Sequence, residues 1–459
     1  MSSAEQTAIF RPRDSELRRQ LTAGQMAMVG VGGSIGTGLL LGSGAAVRIA
    51  GPAVILSFAA AALITWTVTM ALGEMASLHP SPGAFGTYAE LYLNQWAGFI
   101  SRYGFWLAIA IAIGGELVAS ATYMHYWFKG VHAIVWIVLF AAGLIGVNLR
   151  RVGDYGKFEY WFAMIKLVTM LAFITLGAGL LVTRHVPPRY TAAGGFFPNG
   201  HSAPLLAMSF SLFTFAGIEM VAISSGESRS RRDIARAVRL AFGLLTVVYM
   251  GAIVVLVGVM PWNGAAVTES PFVTVFRHVG LPAASHIMNF VVLSAALSGA
   301  NASLYVDSRT LFSLARGGYA PAGLGTLTAA GAPLRALLIS SFGIIVAVVM
   351  AKWAPQDAFV YLLGAALFGA MLAWLVALAA HVRFRARLAP AELSALPMRS
   401  PGGATASIIG FVAIVASLVA TWWYSRVTVL SGLVYLVGLS TAYLLARAKR
   451  KQPHIPARD

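Results

Sequence analysis

The sequence is dominated by about twelve apolar runs, each long enough to cross a lipid bilayer as a helix. A bilayer core of about 30 Å needs roughly 20 apolar residues per helix, whereas the strands of membrane barrels are shorter and alternate in polarity. The length of the runs and their Leu, Ala and Gly content therefore favour helices. The expected spans are residues 25–47, 51–72, 97–127, 132–149, 157–182, 204–223, 237–260, 281–308, 335–353, 358–382, 405–424 and 428–446. We expect an all-α polytopic membrane protein with about twelve transmembrane helices.

Composition excludes the main soluble classes of protein. Only 11% of the 459 residues are charged, compared with roughly 25% in a soluble globular domain. The chain has no cysteine, which excludes a disulfide framework, a thiolate nucleophile and a Cys-ligated metal. The nine histidines show no ligand spacing, so we expect neither a metal site nor a cofactor. Residues 1–20 are polar and the first apolar run is too long for a cleavable signal peptide.

The basic residues predict how the chain is oriented. Lys and Arg collect in the cytoplasmic loops of membrane proteins. With the N-terminus inside, most of the 33 Lys and Arg residues fall on the inner side of the alternating spans. This distribution predicts two cytoplasmic tails, at residues 1–24 and 447–459. It also accounts for the net charge of +17 without a nucleic-acid partner, which would need the basic residues on one face.

Two of the apolar runs are poorly suited to a continuous helix. The first has five glycines between Gly30 and Gly38, each costing a helix roughly 1 kcal/mol relative to alanine. The sixth has Gly217 close to Glu219. Paired interruptions in two halves of a membrane protein indicate a transporter's binding site, although small residues also serve close helix packing. We predict two five-helix repeats at residues 25–182 and 204–387, followed by two additional helices at 405–446.

Ionisable side chains inside a membrane helix are costly, by roughly 2.5–3.5 kcal/mol, and are functional by default. Three lie well within the predicted spans: Glu116, Lys166 and Glu219. A buried lysine can exchange a proton, although each of the three also fits a static interhelical partner. Glu74 and the pair Asp307 and Arg309 lie near predicted cytoplasmic ends, where we expect salt bridges or gate latches.

Two other classes of membrane protein remain as alternatives, a channel and an intramembrane enzyme. An intramembrane hydrolase needs a nucleophile–base pair or a metal motif such as His-Glu-x-x-His, and the sequence has neither. A channel would repeat one filter loop around an axis rather than pair two unlike helix breaks. The sequence therefore favours a transporter without enzymatic activity.

Several motifs carry a family resemblance between Leu17 and Arg387. They are GGSIGTGL at 32–39, GSG at 42–44, GP at 51–52, ALGEM at 71–75, EYWFAMIK at 159–166, FAGIE at 215–219, SPFV at 270–273 and LSAALSGAN at 293–301. In this order they resemble the bacterial amino acid permeases of the amino acid–polyamine–organocation (APC) superfamily. The branch is the amino acid transporter branch, which holds the aromatic, lysine, proline and γ-aminobutyrate permeases.

The resemblance implies a five-plus-five inverted repeat of the LeuT type, with helices 1 and 6 broken. It implies a secondary active transporter in the cytoplasmic (inner) membrane of a bacterium, importing an amino acid by proton symport with alternating access. The alternative within the family is a sodium-coupled or exchange-mode carrier of amino acids or amines. The expected partners are the amino acid, the coupling proton and membrane lipid; neither the substrate nor the oligomeric state is indicated.

The resemblance also implies a set of site residues. The break in helix 1 holds the substrate carboxylate, which maps to Ser34, Ile35, Gly36, Thr37 and Gly38. The break in helix 6 holds the ammonium, which maps to Phe213, Thr214, Phe215, Ala216 and Gly217. One of its two phenylalanines, Phe213 or Phe215, supplies an aromatic gate. Lys166 takes the place of a sodium ion, and Glu116, Glu219 and Asn301 join it in coupling or gating. Ser34 stands where this branch commonly has a small apolar residue.

Overall fold

The computed structural model describes residues 21–81, 84–149, 155–183, 185–191, 194–265, 268–316, 318–328 and 332–449. Each predicted apolar run forms a helix, continuous or interrupted, and the prediction of an all-α membrane protein is confirmed. The helices are α1 (Ala23–Ser34 and Ser43–Ala50), α2 (Val54–Leu78), α3 (Gln95–His125), α4 (Ala133–Asn148), α5 (Tyr155–Val182), α6 (Ala203–Leu206, Met208–Thr214 and Met220–Ile223), α7 (Arg231–Val259), α8 (Pro282–Arg316), α9 (Leu334–Ser340 and Phe342–Trp353), α10 (Ala358–Arg387), α11 (Gly403–Tyr424) and α12 (Arg426–Lys449). Most of the two predicted tails lies outside the described residues.

Nine stretches of the described chain are long and apolar enough to cross a membrane as helices. The first stretch, Ala23–Leu78, contains both α1 and α2. The shorter α4 and the interrupted α6 account for the remaining runs. The number of runs was therefore readable from hydropathy, even where a helix is too short or too broken to count as a continuous span.

Helices α3 and α10 pack against each other at the centre of the bundle, and most of the other helices pack against one or both of them. Helix α3 packs against α8, α9 and α10, and α10 also packs against α2, α11 and α12. Helix α1 lies between α5 and α7. In contrast, α12 is largely exposed, with apolar side chains such as Val434 and Val437 facing outward. Such a surface suits lipid contact, since helices apolar on all sides occur in membranes.

Helices α1 and α6 are interrupted at corresponding places. In α1 the backbone leaves the helix at Ile35 and Gly36 and continues as the π-helical segment Gly38–Gly42. The predicted unwinding across Gly30–Gly38 is therefore shorter than expected, because the glycines on either side remain in helical turns. In α6 the turn at residues 215–219 separates two helical parts, and Gly217 adopts a φ of 104°, which glycine tolerates because it has no Cβ.

We call one face of the helix bundle the N-terminal face. Helix α1 begins at this face, and α2 and α10 end there. A buried ion pair ties these helices together there. The Glu74 carboxylate accepts hydrogen bonds from Nε and Nη2 of Arg385, each at 2.9 Å. It also accepts one from the amide of Ser400, ahead of α11, and lies 3.3 Å from Nε2 of His381. The expected salt bridge at Glu74 is confirmed.

Replacing Arg385 should expose how much this ion pair contributes to stability. Arg385→Gln leaves the fully buried Glu74 carboxylate without its cation, so we expect the free energy of unfolding to fall by about 3–5 kcal/mol. Arg277→Gln is the matched control, because Arg277 and Glu269 form a more exposed pair worth about 0–1 kcal/mol. Chemical unfolding in detergent measures both losses. Equal losses would show that Glu74 is not held by Arg385.

Candidate functional site

The interruptions of α1 and α6 face one cavity, of about 90 Å³, near the middle of the helices. A single water needs roughly 10–15 Å³, so the cavity has room for several heavy atoms of a ligand. Six of the ten predicted substrate-binding residues line it: Ser34, Gly36, Gly38, Phe213, Ala216 and Gly217. Small side chains of α10, Ala366 and Ala370, form part of the opposite wall.

The backbones of the two interrupted helices approach each other closely. A Cβ atom on Gly217 would lie 2.5 Å from the carbonyl oxygen of Gly33 and 2.8 Å from the amide nitrogen of Ser34. Only glycine fits there, both for this approach and for the positive φ. The contact therefore fixes the two interruptions against each other.

Glu116 of α3 reaches the interruption of α1. Its carboxylate faces Thr37, and a Cβ on Gly36 would come within 3.1 Å of Oε1. Gly299 of α8 gives room on the other side, where a Cβ would lie 3.4 Å from the same oxygen. Oε2 of Glu116 is buried without a hydrogen-bond partner among the described residues, and the side chain lines the cavity. Glu116 thus offers an unsatisfied acceptor at the site.

Lys166 of α5 contacts α1 and is not among the residues that line the cavity. It is 2% exposed, and its Nζ donates a hydrogen bond of 3.2 Å to the carbonyl oxygen of Gly32. The first part of α1 ends at Ser34, so its last carbonyls lack intrahelical partners and form the negative end of a helix dipole. A lysine at that position donates a hydrogen bond to an unpaired carbonyl and places a positive charge at the negative end of the dipole. Lys166 also interacts electrostatically with Glu116.

Glu219 occupies the turn of α6 and is 4% exposed. Its Oε2 accepts a hydrogen bond of 3.0 Å from the amide of Gly217, which the turn has freed from helical pairing. Its carboxylate also faces Trp374 of α10 and lines the cavity. An acid that precedes the helical part Met220–Ile223 suits the positive end of that helix.

The structure distinguishes the two candidate gate residues. Phe213 lines the cavity and lies against Gly38, where a Cβ would be 3.1 Å from its ring. Phe215 is fully buried and packs edge-on against Tyr249 of α7, with ring centroids 4.9 Å apart. Of these two residues, Phe213 is therefore the one at the cavity, and Phe215 packs the turn against α7.

The other predicted site residues lie beside the cavity rather than on its wall. Ile35 and Thr37 are buried and are not among its lining residues. Thr214 donates a hydrogen bond of 3.0 Å to the carbonyl of Phe210. Asn301 accepts one of 2.8 Å from Asn148 and so joins α8 to α4, away from the cavity.

Nine of the residues that line the cavity were not among the predicted site residues, and they include Phe105, Met220 and Ser303. Phe105 and Ser303 lie on α3 and α8, which are continuous helices, so no local interruption marks them. Only the packing of α3 against α8 and α10 brings them to the site.

The chain is similar in sequence to amino acid permeases. The family model described as amino acid permease matches residues 25–448. The uncharacterized amino acid permease YtnA of Bacillus subtilis is 34% identical over 445 residues, covering 95% of this chain and 96% of the relative. The γ-aminobutyric acid permease of the same organism is 36% identical over 392 residues, covering 84% of each chain.

Solved structures show the same fold at low sequence identity. The crystal structure of a manganese transporter from Eremococcus coleocola superposes with a TM-score of 0.60 and 15% identity, covering 94% of this chain and 97% of the transporter. At this identity the likeness concerns the fold alone. The expected LeuT-type fold is thereby confirmed.

Proposed function

Because the chain belongs to the amino acid permease family, we propose that it imports an amino acid across the cytoplasmic membrane together with a proton, by alternating access. The observation that carries the proposal is the meeting of two interrupted helices at one buried cavity. Interrupted membrane helices present free backbone groups to substrates at the centre of secondary transporters. The N-terminal face is then the cytoplasmic face, in agreement with the distribution of basic residues.

The proposed binding mode uses the two charged groups of an α-amino acid separately. The carboxylate lies near Gly36 and Gly38, where α1 resumes as the π-helical segment Gly38–Gly42 and offers the N–H groups of its first turn and a positive dipole end. The ammonium lies near the carbonyls at the end of the helical part Met208–Thr214, within reach of the free Oε2 of Glu116. Phe213 covers the bound substrate.

The proposed coupling site is Lys166. In its charged form, Lys166 donates a hydrogen bond to the carbonyl of Gly32. This contact keeps the first part of α1 in place. Loss of the proton weakens this contact, so protonation biases the equilibrium between outward- and inward-facing states by its differential affinity for them. His79, outside the membrane spans, is a poor alternative because burial and the nearby Arg231 lower its pKa to about 4, which leaves it neutral near pH 7.

Two substrate classes fit the cavity. The small side chains of Ala216, Ala366 and Ala370 favour a neutral amino acid with a compact side chain. The carboxylates of Glu116 and Glu219 favour one with a second positive charge. A competition panel that contains the common amino acids and γ-aminobutyrate, read by displacement of a labelled substrate, separates the two classes.

Transport in liposomes tests the proposal. We expect the purified protein to accumulate an amino acid when the outside is acidified in sodium-free buffer, with a rate that saturates as substrate is raised. A protonophore should abolish accumulation, because it removes the gradient that drives the step. A requirement for sodium at constant pH would favour a sodium-coupled carrier, and uptake only into preloaded vesicles would favour an exchanger. A flux that rises linearly with concentration would favour a channel.

A further inference from the structure

Asp307 of α8 is a fully buried carboxyl group with no role in the binding mode proposed above. Its side chain is 0% exposed, and neither Oδ1 nor Oδ2 has a hydrogen-bond partner in the described part of the chain. None of the ion pairs among those residues includes it. The guanidinium of Arg309 lies instead over the ring of Tyr305, 3.3 Å from its centroid. The expectation of a salt bridge at Asp307 is therefore wrong.

Asp307 lies between the cavity and the N-terminal face. Ser303, which lines the cavity, precedes it by four residues on the same helix, so the two side chains share one face and lie about 6 Å apart along the axis. Helix α8 runs from there to its end at Arg316, which is on the N-terminal face. Asp307 thus lies one helical turn from the cavity, on the side of the N-terminal face.

The groups around Asp307 do not supply a positive charge. Ser340 of α9 faces the carboxyl group, and its hydroxyl accepts a hydrogen bond of 3.0 Å from Trp106 of α3. The charged and titratable groups on the helices packed nearby are engaged elsewhere: Arg102 with Glu90, Tyr103 with the carbonyl of Tyr319, Arg335 with the carbonyl of Gly323, Tyr435 with the carbonyl of Gly104 and Lys166 with the carbonyl of Gly32.

A carboxylate in such a place is unfavourable, because a buried charge needs a counter-charge or several hydrogen bonds. The neutral carboxylic acid fits the site, since it carries no net charge and its hydroxyl can donate to Ser340. A residue that is neutral when buried and charged when hydrated is suited to carry a proton through a conformational change.

We infer that Asp307 releases the coupled proton at the N-terminal face, an inference that rests on the proposed proton-coupled transport. Asp307 holds the proton as a carboxylic acid while α8 and α9 are packed together. When the two helices separate, water reaches the carboxyl group, takes its proton and leaves a carboxylate. Before the next cycle the carboxylate takes a proton from a hydronium ion that enters the cavity from the opposite side, so Asp307 is again a carboxylic acid and one proton crosses per cycle.

Asp307→Asn tests the inference, because asparagine has nearly the same shape and is always neutral. In liposomes we expect pH-driven accumulation of the amino acid to fall by at least about tenfold, while counterflow at equal pH on both sides is retained. Infrared difference spectra should show a carboxylic-acid C=O band in the unaltered protein that is missing in Asp307→Asn. Asp307→Glu, which keeps a carboxyl group, should retain accumulation and shift the band.

Asp357→Asn is the matched control, because Asp357 is exposed at the start of α10 and should change neither reading. Full pH-driven accumulation in Asp307→Asn would overturn the inference while leaving the proposed transport intact. A protein without counterflow or pH-driven accumulation before any substitution would instead overturn the proposed function. An infrared band that persists in Asp307→Asn would show that the buried proton lies on another acid.

Discussion

Gly217→Ala should reduce amino acid uptake by about a hundredfold. Alanine is strained at a φ of 104°, and its Cβ would lie 2.5 Å from the carbonyl oxygen of Gly33. Since the carbonyl oxygen belongs to the backbone and Cβ is bonded directly to the backbone of α6, the strain is relieved only if α1 and α6 move apart. That movement displaces the helix ends that form the proposed substrate site. Uptake and substrate binding are measured on the same preparation.

Gly243→Ala is the control for the Gly217 substitution. Gly243 lies in α7, and a Cβ there meets no atom within 4 Å, so alanine should leave uptake unchanged and slightly stabilise the helix. Both variants must reach the membrane in similar amounts. Normal uptake by Gly217→Ala would show that the approach of α1 and α6 is not needed for transport.

Lys166→Ala should uncouple transport from the proton gradient more than it weakens substrate binding. The substitution removes the contact with Gly32 but leaves the backbone groups of the α1 and α6 interruptions that are proposed to hold the amino acid. We expect counterflow to persist while pH-driven accumulation falls to the level of simple equilibration. Both are measured in the same vesicles, together with the affinity for substrate.

Lys352→Ala is the matched control, because Lys352 is exposed in α9 and its loss should leave coupling unchanged. If Lys166→Ala lost binding along with both transport modes, Lys166 would be a structural partner of α1. If it kept both transport modes, the coupling site would lie elsewhere, with Glu116 and Glu219 the next candidates.

The membrane helices and their two interruptions were predictable from sequence, because hydropathy and glycine content act locally. The predicted apolar runs correspond to α1–α12, and interruptions occur near Gly36 and Gly217. The length of the α1 interruption was not predictable, since Gly38–Gly42 continues as a π-helix rather than unwinding. Glycine lowers helix stability without determining which hydrogen-bond pattern replaces it.

The direction of side chains at the site depended on tertiary structure. Spacing alone could not separate Phe213 from Phe215, because the positive φ of Gly217 reorients the turn and places Phe215 against Tyr249. The sequence could place Asp307 near the end of α8. Its lack of an ion pair among the described residues depends on how α8 packs against α3 and α9, which is a matter of tertiary structure.

Glu219 accepts the hydrogen bond of the Gly217 amide. An anionic group that reaches this amide must displace a carboxylate, so the net gain is only the difference between two similar hydrogen bonds. A weaker net gain shortens the residence time of the ligand, because differences in affinity act mainly through dissociation. In the proposed transport cycle, the internal acid thus favours fast release of an anionic group at this amide over tight retention.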